Sequence, residues 1–223
     1  MIPTPNTDHV TKDDKYLLNV YEPAEDTFIL LDALEQDQET LKGAKLCLEV
    51  GSGSGCVSSF LSTIIGPSAA LYLSTDINQL AAECTQETSK KNSTINPIQP
   101  IITDLVSALF DRVKGMVDVL IFNPPYVVTE DEEALDAQSG KAIEGAWAGG
   151  GWGMVITNRL LTQINQILSP SGVFYLVAIH RNQPEKLIDL WSSDLIRGQI
   201  VLKRRAGGEL LYILKFSRVI APK

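Results

Sequence analysis

The residues best suited to chemistry are Asn123-Pro124-Pro125-Tyr126, which follow directly on the apolar run Val-Asp-Val-Leu-Ile-Phe at 117–122. Two consecutive prolines fix the backbone and leave carbonyls without donors beside them. The Asn123 side-chain carbonyl and the Pro124 backbone carbonyl can together accept both hydrogens of one planar NH₂ group, with Tyr126 against its face. Such a nitrogen is a poor nucleophile because its lone pair is delocalised. Held through both hydrogens it pyramidalises more readily, and the acceptors stabilise the positive charge that grows as it attacks an electrophile. No strong base is needed, since the extra proton can leave afterwards, and neither His9 nor His180 adjoins the motif. The bland alternative is a rigid turn that merely ends a strand.

A second constellation is Leu48-Glu49-Val50-Gly51-Ser52-Gly53-Ser54-Gly55, of the form E-x-G-x-G-x-G. Glycine is needed where φ is positive or where a ligand approaches the backbone closely. A G-x-G-x-x-G dinucleotide fingerprint would place its third glycine at Cys56, and no Gly-Lys-Ser/Thr follows. Neither a pyrophosphate cradle nor a P-loop fits. Asp76 follows the next strand, where a carboxylate can accept both hydroxyls of a ribose. Asp104 ends the strand after that, placed to accept from an exocyclic amine. Both aspartates also read as helix N-caps, Asp104 for a helix running towards Arg112.

These residues need a scaffold that gathers several strand ends. Strands are predicted at residues 45–50, 71–75, 97–103, 117–122, 173–179, 199–203 and 209–216. Pro97 and Pro100 favour an edge position for the third. Helical patterns start at Glu25 (Phe28, Leu31, Leu34) and cover 57–65, 78–91, 153–168 and 184–195. This order predicts an α/β fold: a doubly wound, mostly parallel seven-stranded sheet with one antiparallel strand near the C-terminus. Residues 1–20 read as a flexible lead-in, 21–223 as a single domain, and 129–151 as a long irregular insertion. Lys203-Arg204-Arg205 reads as a solvated hairpin between the last two strands. Glycines 51–55, Asp76, Asp104 and Asn123–Tyr126 then converge on one rim, where such sheets bind ligands.

Composition bounds the setting. The 223 residues are 44% apolar and 21% charged, which excludes a disordered or collagen-like chain. A net charge of −8 disfavours non-specific capture of a polyanion. Three cysteines without a C-x-x-C argue against a disulfide framework or a metal site in the chain itself. No apolar run approaches the ~20 residues of a bilayer span, and the N-terminus lacks a signal-peptide pattern. A cytoplasmic setting, with nuclear presence compatible, and no membrane partner are expected.

The glycine loop resembles motif I of the class I S-adenosyl-L-methionine-dependent methyltransferases. The chain as a whole is similar to the release-factor glutamine methyltransferases, the HemK-like family, in its eukaryotic form. The likeness rests on Tyr21-Glu22-Pro23-Ala24-Glu25-Asp26-Thr27, the glycine loop, Thr75–Asn78, Ile102–Leu105, Phe122–Val128 and Gly145-Ala146-Trp147-Ala148-Gly149-Gly150. It implies a Rossmann-like methyltransferase fold over residues 20–217. Cofactor contacts are implied for Thr27, Glu49, Gly51, Gly53, Gly55, Asp76, Asp104, Leu105 and Asn123. Substrate binding is implied for Asn123, Pro124, Pro125 and Tyr126, with Asn123, Pro124 and Tyr126 catalytic. The implied reaction is N5-methylation of the glutamine in the Gly-Gly-Gln motif of a class I translation termination factor.

Bacterial members carry a separate helical substrate domain, which the short N-terminal stretch here does not match. Eukaryotic members work as heterodimers with a small zinc-binding activator subunit; the 97–103 edge strand reads either as its docking edge or as a strand covered by the chain's own loops. An adenine-N6 methyltransferase would use the same clamp, but free DNA as substrate calls for cationic phosphate contacts that an acidic chain lacks. Lysine methylation is a secondary alternative, since an sp³ amine fits two acceptors less well. A non-catalytic scaffold is disfavoured by the intact clamp.

Overall fold

The computed structural model describes residues 1–92, 97–125 and 154–219. Seven strands form one sheet in the order β3-β2-β1-β4-β5-β7-β6. They are β1 (Leu46–Val50), β2 (Leu71–Asp76), β3 (Gln99–Ile102), β4 (Val117–Phe122), β5 (Leu168–Ile179), β6 (Ile196–Ala206) and β7 (Glu209–Arg218). β7 runs antiparallel to both β5 and β6, and every other pairing is parallel. The expected fold class, its single antiparallel strand and the edge position of β3 are all present.

The sheet is buried on both faces because successive strand residues point to opposite sides. Cys47, Val119, Ile121, Tyr175 and Ile213 share one core. It also holds residues of α3 (Glu25–Gln36), α4 (Gln38–Leu41) and α5 (Cys56–Ile65). Leu48, Leu120, Phe174, Leu214 and Phe216 share the opposite core. That one includes residues of α8 (Val155–Leu161), α9 (Ile164–Ile167) and α10 (Pro184–Trp191). The polar interruption in β4, Asp118, accepts from the backbone N–H of Lys45 and Leu46 and from the Ser169 hydroxyl.

Register is what positions the site. Val50 pairs with Thr75 on one side and Phe122 on the other, and Asp76 pairs with Ile102. The residues that follow these strand ends therefore stand side by side: Gly51, Asp76, Asn123 and, one strand further out, Thr103 and Asp104. The strand order reverses between β1 and β4, which opens the crevice at this rim.

Several boundaries differ from expectation. Residues 1–20 are not a loose lead-in: they form α1 (His9–Lys12) and α2 (Asp14–Leu17) and bury Val10, Tyr16 and Val20. These three pack with Ala81 and Cys84 of α6 (Gln79–Asn92). Apolar residues this far apart leave no periodic signal, yet each meets an apolar position of α6. The helix expected over 153–168 is split into α8 and α9, and β5 begins at Leu168, earlier than periodicity suggested. Asp104 does not cap the following helix, because α7 (Phe110–Val113) starts later, after Leu109. Lys203, Arg204 and Arg205 belong to β6, and Arg204 pairs with Asp32 of α3. The 129–151 insertion lies outside the described residues.

Candidate active site

One cavity of about 230 Å³ opens at the carboxyl ends of β1, β2 and β4. Thr27, Glu49, Gly51, Gly53 and Asp76 line it, together with Asp104, Leu105, Asn123, Pro124 and Pro125. Residues from five separate stretches of sequence therefore meet in one place. Tyr126 lies outside the described residues, as do residues 145–150.

The glycine loop divides by role. Gly51 and Gly53 have φ of +67° and +49°, and a Cβ on Gly53 would meet nothing within 4 Å. Only Gly53 faces open space, since a Cβ on Gly51 would touch the Phe122 ring at 3.6 Å. Gly55, also expected to contact cofactor, does not line the cavity: a Cβ there would stand 2.7 Å from the Thr85 Cα. Its glycine lets the loop approach α6, so the third glycine is a packing requirement. The loop is also tied to β2, since the N–H groups of Gly51 and Ser52 donate to the Thr75 carbonyl.

Asp76 joins loop, strand and helix. Its Oδ2 accepts from Gly53 N–H and its Oδ1 from Asn78 N–H, each at 2.9 Å. Burial raises its pKa, and these backbone bonds oppose the rise. Each carboxylate oxygen retains a second lone pair for a ligand hydroxyl. Glu49 lies deeper, wholly enclosed, with Oε2 accepting from the Ser58 N–H and hydroxyl. Desolvation pushes its pKa up to about 8, against the Ser58 bonds and helped by the Asp76 charge. Asp104, at the mouth, pairs with Arg159 of α8, and Leu105 beside it holds φ at +47°. A non-glycine residue with that backbone is strained, and strain of this kind is concentrated at functional sites.

Asn123 is the most informative residue. Its Nδ2 donates to Asp26 Oδ2 at 2.9 Å. Its Oδ1 is buried and, among the described residues, has no hydrogen-bond partner. An acceptor in that state is costly unless a ligand donor completes it.

Among the contributors that sequence reasoning missed, four matter most to the geometry. Asn19, Val20 and Tyr21 supply a wall of the cavity, and the Asn78 amide donates to the Asn19 carbonyl at 2.7 Å. Asp26 is the fourth, hidden inside a motif read only for its likeness. Behind the loop, the Thr88 hydroxyl donates to the Ser54 carbonyl at 2.5 Å and stands 3.0 Å from His9 Nε2. The N-terminal segment is thereby linked to the back of the glycine loop.

Residues 24–155 match the family "Methyltransferase small domain". "Methyltransferase HEMK2" of Mus musculus is 48% identical over 217 residues, covering 97% of each chain. The "eRF1 methyltransferase catalytic subunit mtq2" of Schizosaccharomyces pombe is 40% identical over 228 residues, covering 98% of this chain and 97% of its own. Among solved structures, the E. cuniculi Mtq2–Trm112 complex, described as methylating the eRF1 translation termination factor, includes a chain 27% identical to this one. It superposes with a TM-score of 0.67 over 90% of this chain and 99% of that one. The family pattern over more than half the chain and relatives of matching length together place this chain in the small-domain methyltransferase family.

Proposed function

We propose that this chain methylates the side-chain amide nitrogen of the glutamine in the Gly-Gly-Gln motif of a class I release factor, as the catalytic subunit of a heterodimer. The observation that carries the reading is the orphaned Asn123 Oδ1 at the wall of the cavity. It is an acceptor awaiting a donor, at the end of a strand that continues into Pro124 and Pro125.

The residues present fit S-adenosyl-L-methionine. Gly51 and Gly53 both line the cavity, and Gly53 leaves open space over its backbone, where a ligand without a phosphate can lie close. Asp76 would take the ribose hydroxyls, and Asp104 with Leu105 would flank the base. Thr27 and Glu49 would complete the opposite wall. When bound, this cofactor supplies an electrophilic methyl group with a good leaving group. Everything else falls to the chain. Asn123 Oδ1 and the Pro124 carbonyl would each accept one hydrogen of the glutamine amide, turning its lone pair towards the methyl carbon. The same two oxygens stabilise the positive charge on nitrogen until one of its protons passes to water. Holding the partners in line contributes much of the remaining rate. Tyr126 is proposed to lie against the amide face.

The proposed partner is a small zinc-binding activator subunit, with any zinc in the partner. The support is the outer side of β3, which no described strand pairs. Ile102 at its end is 51% exposed. An unpaired apolar edge invites a strand from another chain. The cytoplasm, where termination occurs, is the proposed site of action.

The test is methyl transfer from labelled cofactor to a release factor, with and without the activator, against a Gln→Ala version of its Gly-Gly-Gln motif. Labelling should depend on both the glutamine and the partner. Label that survives the substitution overturns the substrate assignment, and label on free DNA would favour the adenine alternative.

A further inference from the structure

A side-chain amide can turn over with almost no change in shape, exchanging its acceptor for a donor. The proposed chemistry tolerates only one orientation of Asn123, with oxygen towards the substrate NH₂. The turned-over form would present NH₂ to NH₂. Something must therefore choose between the two, and the only described contact of the Asn123 amide is with Asp26.

Asp26 is 4% exposed and lies in the first turn of α3, where the helix N-terminus favours a negative charge. Its Oδ1 accepts from the Thr27 N–H at 2.8 Å, so the carboxylate is anchored on its helix side. Its Oδ2 receives Asn123 Nδ2. An ionised carboxylate only accepts, so a turned-over Asn123 would set oxygen against oxygen in a buried place. We propose that Asp26 is a positioning residue of the transfer reaction: it fixes the Asn123 amide so that the carbonyl, and not the NH₂, meets the substrate nitrogen. The charge-assisted bond also polarises the amide, which increases electron density on Oδ1 as positive charge grows opposite it. This inference rests on the reading of Asn123 as the substrate acceptor.

The test uses the enzyme co-expressed with its small partner subunit. Single-turnover transfer of labelled methyl to the release factor is followed for Asp26→Asn, Asp26→Glu, Asn123→Ala and the double variant Asp26→Asn/Asn123→Ala. Melting temperature and cofactor affinity are measured in parallel. Asp26→Asn should slow transfer roughly 10- to 100-fold, within the range of losing part of one transition-state contact. Cofactor affinity and the KM for the release factor should stay within about twofold, because Asp26 acts through the amide. In the Asn123→Ala background the same substitution should cost nothing further. Asp26→Glu, which keeps an acceptor-only carboxylate, should retain more rate than the better-fitting asparagine.

An unchanged rate in Asp26→Asn, with Asn123→Ala strongly slowed but measurable in single turnover, overturns the positioning role. So does a loss that follows the melting temperature or cofactor affinity, one that adds fully to Asn123→Ala, or a slower Asp26→Glu than Asp26→Asn. Transfer that proceeds unslowed in Asn123→Ala refutes the underlying reading instead.

Discussion

Replacing Glu49 by Gln tests the electrostatics of the site floor without touching substrate chemistry. In the fold its carboxyl is desolvated and titrates near 8, whereas an unperturbed glutamate titrates at 4.5. The sign follows from proton counts. Between those values the folded chain holds a proton that the unfolded chain has released, so stability falls as pH rises. The contribution is fully present below pH 4.5 and fully lost above 8. At about 1.4 kcal/mol per pH unit, the wild-type chain loses roughly 3 kcal/mol between pH 5 and pH 8 from this one group. Asp76, whose pKa is also raised by burial, adds in the same direction. His9, lowered by burial, acts oppositely, since it costs stability as pH drops through its unfolded value of 6.5. The His9 contribution is common to the two proteins and cancels in their difference, whereas the Asp76 charge acts on Glu49 itself and is part of the effect measured. Denaturant unfolding of wild type and Glu49→Gln at several pH values should therefore give curves that diverge steadily. The variant gains about 3 kcal/mol relative to wild type over that interval. Parallel curves would refute the buried, proton-holding Glu49. A second readout is independent of stability. A cationic cofactor in the cavity that Glu49 lines draws its proton off. Binding at pH 7 should then release about one proton in wild type and none in Glu49→Gln, measured by calorimetry in buffers of different ionisation enthalpy.

Four further outcomes follow from the surroundings of particular residues. Gly55→Ala, with φ of +74° and a Cβ 2.7 Å from the Thr85 Cα, should cost about 3 kcal/mol in denaturant unfolding. Gly53→Ala, in open space, should cost only about 1–2 kcal/mol while weakening cofactor binding. Lys215 is 7% exposed and donates to Asp37 Oδ2, which also accepts from the Tyr175 hydroxyl. Lys215→Met should lower stability by about 1–3 kcal/mol, part of the penalty being relieved because Asp37 retains the tyrosine. His9→Ala removes the link between α1 and Thr88 and should make residues 1–20 the first site of limited proteolysis, at a cost of about 1–2 kcal/mol.

What could be read from one chain was whatever repeats at short range. The run 117–122 is apolar on both faces, so β4 and its central place were plain. The alternation of strands and helices carried the doubly wound, mostly parallel fold class, because right-handed crossovers leave few topologies. Pro97 and Pro100 marked β3 as an edge before any neighbour was known. Elements held by single long-range contacts left no such trace. Val10, Tyr16 and Val20 show no period, and their burial exists only because Ala81 and Cys84 of α6 stand opposite. The Asp104 carboxylate looked like a cap, since aspartate after a strand usually is one. Its partner Arg159 lies 55 residues away, across a segment with no pattern to bridge them.

The same distinction separates the legible half of the site from the hidden half. Gly51, Asp76 and Asn123 follow strand ends, and register alone sets them side by side, so their convergence needed only the topology. Their chemical state needed contacts that register does not give. Whether Asn123 offers oxygen or nitrogen depends on Asp26, 97 residues earlier. Whether Glu49 carries a charge depends on its enclosure and on Ser58. Gly55 shows the converse: its place in the glycine pattern suggests a ligand contact, and the third dimension gives it to Thr85. A clamp for a planar NH₂ group is specified by Asn-Pro-Pro only as to its parts. The polarity of the clamp, on which attraction or repulsion of the substrate turns, is set by a carboxylate at the start of another helix.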